Sequence, residues 1–165
     1  MVVEFIISMV YSMGYFGLFL ASLISSASVI LPVPGFLIVI TAGTFLNPFL
    51  VGIVAAIGAA IGELTAYGVG FAGEKAFLKL KKKKNWKREF ERAEKWFEKH
   101  SGFFVVIVFA ATPLPFDAIG IFCGVVKYDI KKFFIATLIG KLIANIALAY
   151  LGFLGITIIG GWLFG

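Results

Sequence analysis

Residues 101–126 make an apolar run with Pro113, Pro115 and Asp117 near its centre, and basic segments stand on both sides of it. A membrane-crossing helix does not accept two helix breakers and an acid at mid-span without compensation. The flanking segments, EKAFLKLKKKKNWKREFERAEKWFEKH at 74–100 and KYDIKK at 127–132, should both be cytoplasmic by the positive-inside rule. The run between them therefore enters the membrane and returns to the side it left. Residues 103–112 and 117–126 each reach about 15 Å as helix, half of a hydrocarbon core of about 30 Å. TPLPFD is then the tip of a re-entrant hairpin, with prolines where the chain must turn. Irregular backbone at that depth is tolerated only where protein or a watery cavity covers it, so the tip is a candidate site.

The rest of the chain agrees with a membrane setting. It is 61% hydrophobic and 15% charged, more apolar than a water-soluble domain of this size. Eleven of the fifteen Lys and Arg fall between Lys75 and Lys99, so the net charge of +6 is a local feature that concerns topology. Residues 50–73 and 133–155 are apolar segments long enough to cross the core. Residues 1–31 are long enough for a span, or for a half-span preceded by an interfacial helix. The N-terminus lacks the basic leader and small-residue cleavage site of a secretory signal and reads as retained. Within 74–100, Trp86, Phe90, Ala93 and Phe97 share one helical face, which predicts an amphipathic helix lying on an anionic membrane surface. These aromatics do not alternate with basic residues as a base-stacking platform, so nucleic acid is not an expected partner. Cys123 is the single cysteine and His100 the single histidine. No disulfide can form within the chain, and neither a metal nor a cofactor is expected.

LPVPGFLIVITAGTF at 31–45 has the layout of TPLPFDAIGIFCGVV at 112–126. Pro32, Pro34 and Gly43 pair with Pro113, Pro115 and Gly124 at an offset of 81 residues. Gly58 and GFAG at 70–73 pair with Gly140 and GFLG at 152–155 at an offset of 82. Each half reads as a proline-tipped hairpin followed by a spanning helix. The span 50–73 ends at the cytoplasmic basic segment, so its hairpin begins outside, whereas the second hairpin begins inside. The predicted fold is an all-α polytopic membrane protein, a single membrane domain over 1–165. It has two inverted repeats, about 20–73 and 101–155, joined by the basic amphipathic helix 74–100. Inverted halves with broken helices bind substrate at the midplane in many transporters; a duplication with a structural role alone is the alternative.

Glu63 and Lys141 lie near the middles of their spans, and Asp117 lies at the second tip. A charge at the bilayer centre costs on the order of 3 kcal/mol or more, so each is expected to face a partner or a cavity. Two readings stand. In one, Glu63 and Asp117 relay protons while Lys141 attracts an anionic head group; in the other, Glu63 and Lys141 are a permanent ion pair. Tyr67, one turn from Glu63, either hydrogen-bonds to it or packs as an ordinary aromatic, and Asn145 joins the candidate set. The tips, Pro32, Pro34 and Gly35 in one half and Pro113 and Pro115 in the other, each precede a short arm whose N-terminus suits an anion. The first tip has no acid in its first turn and is expected to be the freer anion site. Gly58, Gly62, Ala66 and Gly70 form a small-residue stripe for helix packing.

Together these features resemble the DedA family, also called SNARE-associated or VTT-domain membrane proteins. The likeness is carried by PVPG at 32–35 followed by AG at 42–43, by GELTAYGVG at 62–70, and by HSGFFVVIVFAATPLP at 100–115 followed by Gly124. It extends from about Gly14 to Gly155. The resemblance implies a polytopic inner-membrane protein with two opposed re-entrant hairpins. It also implies movement of polyprenyl-phosphate carriers or phospholipids between leaflets, in some members coupled to protons. The family's Gly-acid-x-x-x-Tyr pattern is met by Gly62, Glu63 and Tyr67, and the proline of its Arg-Phe-x-Pro-x-x-Arg motif by Pro113. Ala110 and Phe116 stand in place of the two arginines, and Phe36 in place of the acid that often follows the first Pro-Gly.

The expectation is a multi-pass transporter or flippase of a prokaryotic plasma membrane, with segment 74–100 cytoplasmic. Its partners would be the membrane, an anionic lipid or lipid-linked phosphate, and protons as a candidate coupling ion. No nucleophile–base pattern suggests an enzyme. The alternative is a non-transporting scaffold or assembly factor acting through the basic helix. The side of the N-terminus and a homodimer sharing the cavity stay open.

Overall fold

The computed structural model of the chain describes residues 2–27, 35–80, 84–112 and 116–164. Among these there are seven helices and no strand: α1 (Val2–Ala27), α2 (Gly35–Gly43), α3 (Pro48–Leu80), α4 (Lys84–Lys99), α5 (Gly102–Ala111), α6 (Phe116–Val125) and α7 (Ile130–Phe164). Three stretches, Ser8–Ala27, Pro48–Glu74 and Ile130–Gly155, are long and apolar enough to cross a membrane. The prolines Pro32, Pro34, Pro113 and Pro115 lie outside the described residues.

The two long helices start at side-chain caps. Asn47 Oδ1 accepts the N–H groups of Phe49 (3.0 Å) and Leu50 (3.2 Å) ahead of α3. Asp129 Oδ1 accepts the Lys132 N–H (2.8 Å) ahead of α7. Both arrangements satisfy N–H groups that a helix start leaves without partners. Pro48 opens α3, where its missing N–H costs nothing. α3 and α7 run antiparallel: Gly52 touches Ile146, Glu63 pairs with Lys141, and the rings of Tyr67 and Phe133 are 5.3 Å apart. α3 also packs against α1, α2 and α6, which makes it the central helix.

Small residues set these crossings. Gly58 and Gly62 lie on the backbone of α1 at Phe19 and at Leu23 and Ala27, and Gly70 lies on α6 at Ile121. Gly124 lies on α3 at Tyr67, Gly43 on α7 at Ala149, and Gly152 on α2 at Ile40. A Cβ at any of these positions would collide with main chain, so close approach of apolar helices depends on its absence. The predicted stripe Gly58–Gly62–Ala66–Gly70 is thus helix packing, split between α1 and α6.

α1 is not one straight rod. Gly14 has φ 57° and ψ −129°, a backbone state that glycine adopts without penalty. Beyond it Gly17 lies against the Met9 carbonyl, about 12 Å away along an unbroken helix. The described part of residues 1–31 is therefore two helices joined at Gly14.

The charges gather at one end. Lys127 Nζ is 2.9 Å from Glu74 Oε2, the Tyr67 hydroxyl donates to the Tyr128 carbonyl (2.7 Å), and Phe97 meets Tyr128 edge-on. The end of α3, helix α4 and the α6–α7 turn therefore lie together. At the other end Tyr15 accepts the Asn47 N–H, and Tyr11 stacks on Phe45 at 4.5 Å. There is no Asp, Glu, Lys or Arg between Glu4 and Glu63, nor after Lys141.

Segment 74–100 differs from the single surface helix expected. Its first residues continue α3 to Leu80, and α4 begins at Lys84. The apolar face of α4 is turned to protein: Phe90 and Phe97 lie 5.5 and 5.4 Å from the Phe122 ring. Gly102 gives Phe97 the space it needs. Phe97 is buried and Ala93 exposed, while Trp86 is outside the described side chains. Aromatic rings on α6 and in the following turn offer this face a dry partner, which helical periodicity alone could not reveal.

Candidate functional site

Glu63 faces the middle of the molecule from α3. It is eleven residues before Glu74, so it sits about 16 Å from the charged end, near half the core thickness. Lys141 reaches the same level from α7. Its Nζ is 2.7 Å from Glu63 Oε1, and the two side chains are 18% and 4% exposed. The pair is therefore desolvated, a setting in which removing one partner leaves a costly lone charge. Glu63 Oε2 is buried without a hydrogen-bond partner. Lys141 Nζ also lies 5.1 Å from the centre of the Phe116 ring, a cation–π contact that holds the ammonium at the start of α6. Asp117 follows in the first turn of α6 and is near enough to act electrostatically on Glu63. The ammonium of Lys141 thus pairs with Glu63, and a second carboxylate stands nearby.

The residues that flank both tips come to this level. Ala27, before the first tip, touches Gly62, and its carbonyl lies 3.2 Å from Thr65 Oγ1. Gly35, after it, lies against Ser25. On the other side, Ala110 packs on Gly140 next to Lys141, and Phe116 stacks on Phe133 with centroids 6.0 Å apart. Thr112 Oγ1 closes α5 by donating to the Val108 carbonyl at 3.0 Å. Both broken elements therefore end beside the ion pair.

The remaining candidates divide. Asn145 is buried one turn beyond Lys141 on α7. Tyr67 is buried as well, but its hydroxyl goes to the Tyr128 carbonyl rather than to Glu63. That carbonyl belongs to the α6–α7 turn and would otherwise lack a donor at the protein surface. Tyr67 is a tie between α3 and that turn. Two contributors were not foreseen. Phe116 is the ring beneath Lys141, and its position just after Pro115 was the available signal. Thr137 is fully buried one turn before Lys141, at a spacing of four that puts both on one helix face. Among the described residues no group of three or more His, Cys, Asp or Glu is placed to hold a metal.

A family model for the VTT domain matches residues 33–154, which include Pro34 and Gly35 of the first tip, the second tip, all of α3, most of α7, and Glu63, Asp117 and Lys141. The chain belongs to the VTT-domain (DedA) family. It is 30% identical over 145 residues to an uncharacterized protein of Methanocaldococcus jannaschii, covering 86% of each chain. It is 31% identical over 147 residues to the membrane protein YkoX of Bacillus subtilis, covering 86% of this chain and 64% of that one. A Lactococcus lactis relative named alkaline phosphatase-like protein is 32% identical over 162 residues, covering 90% of this chain and 74% of that one. No solved structure matches.

Within this VTT domain the Gly-acid-x-x-x-Tyr pattern acquires physical content. Gly62 lets α1 approach, Glu63 takes Lys141, and Tyr67 ties down the α6–α7 turn. Ala110 and Phe116, which replace the motif arginines, are both buried against α7. The positive charge at this level comes instead from Lys141.

Proposed function

We propose that this VTT-domain protein is a transporter that moves an amphipathic anionic lipid, a polyprenyl phosphate or a phospholipid, between the leaflets of a prokaryotic plasma membrane. The observation that carries the reading is the buried Glu63–Lys141 pair, with Asp117 beside it, at mid-depth between the flanks of two broken elements. A purely structural pair needs no third ionisable group in its layer, nor two interrupted helices ending at it.

The architecture we infer is two inverted repeats with re-entrant hairpins, and several contacts support it. They exchange between halves: α2 lies on α7 through Gly43 and Gly152, as α6 lies on α3 through Gly124 and Gly70. Reciprocal contacts of this kind are the signature of a two-fold relation. Because α3 and α7 are antiparallel, the axis would lie across them, in the membrane plane. Each half opens with a helix broken at a left-handed residue, Gly14 (φ 57°) or Ser101 (φ 52°), before its short arm. α5 and α6, ten residues each, leave from and return to the charged end, which by the positive-inside rule is cytoplasmic.

In this reading the head group enters at the level of Lys141 and competes with Glu63 for the ammonium, while the tails stay in lipid. A proton taken by Glu63 or Asp117 removes the excess negative charge that would oppose an anion. Loss of that proton restores the pair and expels the cargo. The scaffold reading draws on the exposed outer side of α4, where Arg92, Lys95, Trp96 and Lys99 face solvent, but it leaves the midplane charges without a role.

The test is leaflet-to-leaflet movement of a labelled polyprenyl phosphate and a labelled phospholipid in proteoliposomes under an imposed pH gradient. Wild type should move at least one of them, and Glu63→Gln should lose that movement while remaining folded. A folded wild-type protein that moves neither lipid overturns the proposal.

A further inference from the structure

Thr137 is the one described threonine on α7 that is wholly buried, and its hydroxyl has no partner. That is unusual chemistry for a helical threonine, which ordinarily donates to the carbonyl one turn back. Thr65 of α3 does so, to the carbonyl of Gly62. Thr137 has the same option and does not take it.

Its place gives the reason. Phe133 meets Tyr67 of α3, and Lys141 meets Glu63 of α3, one turn of that helix apart. Thr137 lies between them on the same face of α7, four residues from each, so it fronts the α3–α7 seam between those two contacts. The other buried oxygen without a partner in that seam is Glu63 Oε2. An unpaired donor and an unpaired acceptor therefore stand within about a turn of the Lys141 ammonium. Going the other way along the same face, Asn145 follows Lys141 by four residues and is buried. Three donors, a hydroxyl, an ammonium and an amide, thus follow one another at about 6 Å intervals along one side of α7.

We propose that Thr137 is a contact residue for the cargo: its hydroxyl is held unpaired so that it can donate to a phosphate oxygen of the head group as that group passes Lys141 on the charged side. Lys141 supplies the charge, and Asn145 takes the corresponding role on the uncharged side. This inference rests on the anionic-lipid reading above, but it makes a separate claim about which atoms the head group touches. It also separates a structural threonine from a functional one, because an unpaired hydroxyl contributes nothing to the resting fold.

The experiment compares wild type with Thr137→Val, which keeps the shape and removes the hydroxyl, and with Thr137→Ser, which keeps the hydroxyl. Each purified protein is unfolded by heat in a neutral detergent, with and without decyl phosphate. Without the additive, Thr137→Val should be as stable as wild type or more stable. With it, wild type and Thr137→Ser should gain stability together, and the apparent affinity of Thr137→Val should fall about tenfold or more, the worth of a hydrogen bond to a charged group. The same order should appear in the KM for lipid movement in proteoliposomes. If Thr137→Val binds as wild type does, or if it is strongly destabilised without the additive, the role assigned to Thr137 is wrong. If wild type itself gains nothing from decyl phosphate, the anionic-cargo reading fails first and takes this inference with it.

Discussion

Residues 35–73 and 116–155 share their close glycine crossings and their helix caps but not their charges. Gly43 and Gly124, Gly70 and Gly152, and the caps Asn47 and Asp129 occupy corresponding places and do corresponding work. The ionisable residues do not follow that correspondence. Where the first half has Glu63 the second has Asn145; where the second has Lys141 and Asp117 the first has Ala59 and Phe36. Tyr67, which ties α3 to the opposite turn, has Ala149 as its counterpart. Close helix approach admits only small residues, so the packing positions stay alike in both halves. A charge needs one partner rather than a copy of itself, and Glu63 finds Lys141 across the α3–α7 contact.

The largest effect should come from the asymmetric part. Lys141→Met leaves Glu63 buried and unpaired and should cost about 3–5 kcal/mol in unfolding experiments in detergent. Adding Glu63→Gln should recover most of that loss while transport stays absent. A double variant no more stable than the single one would show that the two residues do not act as a pair. The symmetric part comes next. Gly70→Ala and Gly152→Ala each drive a Cβ into a facing backbone and should each destabilise by about 1–3 kcal/mol. Effects differing by more than that range would break the equivalence of the two crossings.

Smaller effects refine the comparison at the charged end. Tyr67→Phe removes one buried hydrogen bond to the α6–α7 turn and should lower stability by about 1 kcal/mol, without changing cargo specificity. A loss of transport with unchanged stability would return Tyr67 to the site. Glu74→Gln breaks a partly exposed pair with Lys127 and should cost under about 1 kcal/mol, less at high salt. A salt-independent loss of several kcal/mol would mean that this end is more tightly closed than its exposure indicates.

Much of this architecture was legible in the residues. Length and hydropathy marked the long helices, since a spanning helix needs about twenty apolar residues. The rise per residue put Glu63 and Lys141 at one depth before any contact was known. α5 and α6 begin and end within a residue of the predicted hairpin arms, because prolines and basic flanks bound them tightly. The family likeness came from the same positions and holds. The break at Gly14 was not legible, because an apolar run of that length reads equally well as a span, and one dihedral angle decides.

The amino-acid sequence by itself determined which segments are long and apolar enough to cross a membrane, which end carries the charge, and that Glu63 and Lys141 lie at one level. Those follow from transfer free energies and helix rise, which act on each residue separately. Only the tertiary structure decided that the α4 aromatics face Phe122 rather than lipid, that Tyr67 serves the Tyr128 carbonyl, and that Phe116 lies beneath Lys141. It alone showed that Thr137 Oγ1 and Glu63 Oε2 are buried without hydrogen-bond partners. Which partner a side chain takes depends on the groups that distant segments bring within a few ångströms, and no local pattern carries that information.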